Sequence, residues 1–288
     1  MSRPGPRVRS RVRSRPRAVA LVLAAALLAS PGCASAPAGD SGSAPGATAG
    51  PEQPQVLSDA QAEELAAMRF KNFADGVVAV EGQVLGGGNG DLALAGWLDF
   101  AQRSGYARVV SNGAAPILVV WDEHELAYLD EHPAEAASQG ALAPPPETPP
   151  TGAWQRDALV AETSELTRML AALLLLSADR PENPLLLRQN GARYLGREDV
   201  AGVPADRFSG VSAEGLSAEG AAEGAAAEET AAAEADLASQ YWLDADGRLV
   251  RFGLRVAGDE LSTVDLLREA GAPDELPGVE TVGAPDAG

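Results

Sequence analysis

From residue 78 onward one in every two positions is apolar or glycine: Val78, Val80, Gly82 and Val84, then Leu92, Leu94, Gly96, Leu98 and Phe100. A period of two puts such residues on one face of an extended chain, which a helix cannot do. The glycine-rich stretch 86–91 between the two runs is short enough for a hairpin, so the strands are expected to be antiparallel neighbours. The pattern continues through 106–110 and 116–121 around the turn Ser111-Asn112-Gly113, and 123–129 fits a further short strand. Residues 117–121 are apolar on both faces, as in a strand covered on each side.

Helical signals flank this meander. Ser58-Asp59-Ala60-Gln61 has the spacing of a capping box, and Ala62, Leu65, Ala66 and Met68 follow as a short amphipathic helix that is expected to end near 73–76. Residues 132–153 have no period and contain six prolines, the composition of an exposed insertion. Asp157 is the N-cap candidate for a helix to Ser177, with Leu159, Thr163, Leu166, Leu170 and Leu173 on one stripe. Residues 169–176 are apolar nearly all round, so this helix should be enclosed; the run is too short to span a bilayer. Pro181 and Pro184 stop it.

Strands are expected again at 185–195 and 203–208. The Ala/Glu/Gly tract 212–238 has almost no large apolar residue and reads as a solvated acidic insertion. The strongest hairpin signal follows: 241–244 and 248–256 flank Asp246-Gly247, a pair favoured in type I′ turns. Residues 261–267 form a last strand, and 270–288 is a Pro/Gly/acid tail expected to be disordered.

The N-terminus carries an address. Seven arginines and no acid occupy residues 1–17, and 18–30 are small or apolar, the charged and hydrophobic regions of an export signal. Two cleavage sites compete. Gly32-Cys33, with the sole cysteine, resembles a bacterial lipoprotein signal in which Cys33 is acylated and becomes the new N-terminus. Ala34-Ser35-Ala36 would instead release a secreted protein, although Pro37 removes the next amide N–H. With the first site, the expected organisation is a signal peptide over 1–32, a flexible tether over 33–56, and one domain over 57–269 with disordered insertions at 132–153 and 212–238.

Removing the signal moves the formal charge from −19 to about −26, because seven arginines leave and no acid does. Such a surface disfavours nucleic acid, whose binding needs clustered basic side chains. It also disfavours adhesion to anionic headgroups through protein charge, leaving acyl chains on Cys33 as the membrane contact at the extracytoplasmic face. His124 and His132 are the available imidazoles, and Asp122-Glu123-His124-Glu125 places alternate residues on opposite strand faces, which argues against a metal site. Ser212 lies in low complexity with no Gly-x-Ser-x-Gly around it, and the glycines at 86–90 precede a strand rather than a helix. Neither a cofactor nor catalysis is expected.

The order of these pieces resembles the LolA-like family, specifically the actinobacterial LppX/LprG-type lipoproteins. The resemblance is carried by 78–84, by Gly96-Trp97-Leu98-Asp99-Phe100 and by 241–256, with the lipoprotein signal ahead of them. It implies an α+β fold in which a strongly curved antiparallel β-sheet forms half a barrel with helices on its concave side over an apolar cavity. It further implies binding or carriage of a lipid or lipoglycan, or else partner sensing as a regulatory module of the cell envelope without lipid cargo. Candidate cavity-wall residues are Leu166, Leu170 and Leu173 of the enclosed helix and Val80, Leu94, Leu98 and Phe252 of the sheet. Ordinary core packing is the other reading of that helix, and Gly82, Gly96 and Gly253 either leave room inside or serve strand curvature.

Overall fold

The computed structural model describes residues 53–86, 90–111, 115–131, 142–210, 239–256 and 260–282. The expected signal, Cys33, the expected tether as far as residue 52 and the tract 212–238 lie outside them. Among the described residues the elements run β1 (Gln55–Val56), α1 (Asp59–Asp75), β2 (Val77–Val84), β3 (Leu92–Asp99), β4 (Ser104–Ser111), β5 (Ile117–Trp121), β6 (Glu125–Asp130) and β7 (Gln155–Ala158). There follow α2 (Glu165–Leu174), α3 (Pro184–Gln189), β8 (Arg193–Val200), β9 (Val203–Ser209), β10 (Ser239–Leu243), β11 (Leu249–Leu254) and β12 (Ser262–Leu267).

All twelve strands join one antiparallel sheet, in the order β1-β8-β9-β10-β11-β12-β2-β3-β4-β5-β6-β7. The two meanders, β2 to β7 and β8 to β12, meet where β12 pairs with β2, Leu266 opposite Val80. The sheet is curved and unclosed, a half-barrel with its helices gathered on one face.

The first helix begins as its sequence dictates. Ser58 Oγ accepts from the Gln61 amide at 3.3 Å and Gln61 Oε1 accepts from the Ser58 amide at 3.0 Å, so two otherwise orphaned donors are satisfied. Gly76, at φ +68°, turns the chain into β2. Leu65 and Met68 of this helix are buried in one cluster with Val80, Leu94, Leu98, Val119, Trp121, Leu170, Leu173 and Phe252. Alternation sends Trp97, Tyr106, Leu118, Val120 and Ala127 to the opposite face. The expected disordered tail is corrected over its described part, because Leu276, Val279 and Val282 are buried against that outer face. Three apolar side chains in a Pro-rich stretch gave no period, yet together they cover a sheet face that would otherwise be wet.

The outer face also holds a buried ion pair. Arg108 of β4 meets the Glu131 carboxylate with two bonds, Nε to Oε2 at 2.7 Å and Nη2 to Oε1 at 2.6 Å. Its Nη1 donates to the Ala143 and Pro144 carbonyls at 2.6 and 3.1 Å. Part of the 132–153 segment is therefore clamped to the sheet rather than a free insertion.

Three local expectations change. Residues 185–195 do not start as a strand: α3 comes first, with Pro184 in its first turn and Asn183 Oδ1 accepting from Leu185 N at 2.9 Å. Proline suits that position because it lacks only an amide that would be unpaired anyway. Asp157 is not an N-cap but lies in β7; the cap is Ser164, whose Oγ accepts from Thr167 N at 3.1 Å. The β10–β11 turn has positive φ at Gly247 and not at Asp246, so it is not type I′. Asp244 instead accepts from the amides of Asp246 and Arg248, both at 2.9 Å, and the register shifts after Trp242.

Candidate functional site: an apolar cavity under the second helix

Strand alternation and one helical stripe build the site. On β5, Ile117 and Val119 point to the helix-covered face, and on β6 Leu126 and Tyr128 do the same. Register sets Asp157 of β7 opposite Leu126 and Gln155 opposite Tyr128. The other wall is Thr163, Leu166, Thr167 and Leu170, spaced i, i+3, i+4, i+7 so that all four fall on one side of the helix and the turn before it. Together with Ala158 these residues enclose a cavity of about 470 Å³ that opens to solvent.

The cavity lining is apolar in depth and polar at the rim. Leu170 is fully buried, whereas Asp157 and Thr163 are exposed. The Tyr128 hydroxyl donates to Gln155 Oε1 at 3.1 Å, which ties the rim of β6 to β7. The Thr167 hydroxyl donates to the Ser164 carbonyl at 3.0 Å. Downstream the connection is pinned as well, since Leu159 N donates to the His124 carbonyl at 2.8 Å.

Of the seven wall candidates, Leu166 and Leu170 line this cavity. Leu173, Val80, Leu94, Leu98 and Phe252 are buried in the adjoining core instead. The helix thus has two environments: its first turns face the cavity and its last turns pack into the core. The three glycines leave no room inside. A Cβ at Gly82 would run into the Thr263 carbonyl and Val264, one at Gly96 into the Tyr106 carbonyl and Ala107, and one at Gly253 into Leu261 and Trp242. They permit close approach of neighbouring strands and side chains.

Sequence reasoning missed Ile117, Val119, Leu126, Tyr128, Ala158 and Thr167 as lining residues, and it gave Asp157 the wrong role. The alternation in 117–121 and 125–130 carried the signal for the first four. Nothing local marked which end of the apolar strands would be left unfilled. Cys33, the expected lipid anchor, lies outside the described residues. Among the described residues no group of three His, Cys, Asp or Glu side chains is placed to hold a metal ion, and no helix is long and apolar enough to cross a membrane.

No protein-family model matches the sequence, and no curated protein matches it. Among solved structures the chain is similar to the lipoprotein LppX of Mycobacterium tuberculosis, with a TM-score of 0.37 and 9% identity over 73% of this chain and 94% of that one.

Proposed function

We propose that this chain is an exported lipoprotein, anchored through Cys33 at the extracytoplasmic face of the cell membrane, that binds a hydrocarbon chain of a lipid or other amphiphilic envelope molecule without chemical change. The observation that carries the reading is the open apolar cavity between α2 and β5 to β7, whose volume of about 470 Å³ falls in the range of small-molecule sites. Each methylene moved from water into such a lining gains about 0.8 kcal/mol, so a long acyl chain supplies ample driving force without any charged contact. The head of the ligand would stay at the rim, where Asp157, Thr163 and the Tyr128 hydroxyl meet solvent.

Native mass spectrometry on the chain from residue 33 onward tests it. A retained amphiphile is expected, and Leu166→Trp, which fills the half-buried mouth with a larger apolar side chain, should abolish retention while the thermal midpoint stays within a few degrees. A protein that emerges empty and takes up nothing from lipid vesicles would sink the reading. For the anchor, Cys33→Ala should move the protein from the membrane fraction to the medium and end incorporation of labelled palmitate.

A further inference from the structure

The described lining of the cavity carries an acid and no lysine, arginine or histidine. Among the described residues ten line the cavity, and the only charged one is Asp157. The two arginines nearest in sequence are committed elsewhere. Arg156 alternates to the outer face of β7, where Nη2 donates to the Glu280 and Val282 carbonyls at 3.1 and 2.9 Å. Arg168 donates through Nη1 to the Val256 carbonyl at 2.6 Å.

Beyond Arg17 the segments outside the described residues carry no lysine or arginine, and His132 is their one imidazole. After Arg17 every lysine and arginine of the sequence falls within the described residues; 87–89, 112–114, 132–141, 211–238, 257–259 and 283–288 contain none. A carboxylate or phosphate head seated at the rim would face Asp157, with no lysine or arginine among the described lining residues to offset it. An ammonium head would meet a carboxylate and the oxygen of Tyr128.

Resting on the cavity as a hydrocarbon site, we propose that its ligand is a single-chain amphiphile with a protonated amine head, and that Asp157 selects that head against anionic ones. The volume admits one chain more readily than two, and the carboxylate sits where the head must emerge. Because Asp157 is exposed, the discrimination is moderate and salt-dependent.

Calorimetric titration of the chain from residue 33 onward with dodecylamine, dodecanol and dodecanoate, each below its micelle concentration, separates the possibilities. The expected order is amine, alcohol, carboxylate, with amine and carboxylate differing by about tenfold at low salt and converging as salt is raised. Asp157→Asn should bring the amine and the carboxylate together; Asp157→Lys should reverse their order. Equal binding of all three probes, or an unaltered ratio in Asp157→Asn, overturns the head-group inference and leaves the hydrocarbon site standing. Binding of none of them removes the site, and the inference with it.

Discussion

Arg108 is 1% exposed and Glu131 7%, so their ion pair is held almost entirely out of water. A buried pair adds little over a well-packed apolar pair, but losing one partner leaves an uncompensated charge. Glu131→Gln should accordingly lower stability by about 3–5 kcal/mol, read as a shift in urea midpoint, and Arg108→Met combined with Glu131→Leu should recover most of it. The neighbouring Tyr106 gives a pH signature. Burial pushes its phenol well above the ordinary value of 10.0, the Glu131 carboxylate adds to this, and Arg108 opposes it. Below pH 10 both folded and unfolded forms keep the proton; above it the unfolded chain loses the proton and the folded one keeps it, so stability falls as pH rises past 10. Phenolate absorbance assigned to Tyr106 by comparison with Tyr106→Phe should therefore appear together with loss of circular dichroism, not before it. None of this was legible in sequence, because Arg108 and Glu131 are brought together by two strand turns and neither sits in a recognisable motif.

At the scale of elements, α2 owes its start to a reciprocal cap. Ser164 Oγ accepts from Thr167 N at 3.1 Å and Thr167 Oγ1 accepts from Ser164 N at 3.0 Å. Ser164→Ala should cost about 1 kcal/mol in denaturant melts and, by fraying the turn that carries Thr163 and Leu166, weaken amphiphile retention as well. The strands were legible as elements wherever alternation ran for several residues, as in 78–84 and 92–100. Boundaries failed where two signals overlapped. Asp157 precedes an apolar stripe and looks like a cap, but Gln155 and Asp157 also fit the exposed edge of a sheet, and pairing with β6 decided the matter. Likewise Leu185, Leu186 and Leu187 are consecutive apolar residues compatible with strand or helix, and Pro184 with Asn183 before it tipped them to a helical turn. The site was half visible for the same reason. The stripe through Leu166 and Leu170 is a local pattern; the empty space facing it depends on how far the helix lies from β5 and β6.

For the whole molecule, the C-terminal segment closes the outer face. The Trp97 indole donates to the Gly271 carbonyl at 3.3 Å, and Leu276, Val279 and Val282 lie beyond it against Tyr106, Leu118 and Val120. A chain ending at Gly271 should expose these aromatics, bind a hydrophobic dye in the folded state and melt several degrees lower, while the cavity on the opposite face still takes its ligand. Each meander could be read from the sequence because its neighbours are consecutive. The strand order could not, since β12 beside β2 and β1 beside β8 join stretches far apart in the chain and leave no local trace.

That central seam between β2 and β12 has a kinetic consequence. Joining it closes a loop of most of the chain, which is entropically costly and slow, whereas the hairpins within each half need only short closures. The two halves are thus expected to form first and the seam last, and in the native state the seam should be where the molecule opens. Hydrogen exchange should then show amides at the Val80–Leu266 pairing exchanging sooner than those between β3 and β4, with equal protection counting against it. The strands and helix that wall the cavity all belong to the stretch between Ile117 and Leu170, on one side of that opening, so the cavity can persist while the sheet around it breathes.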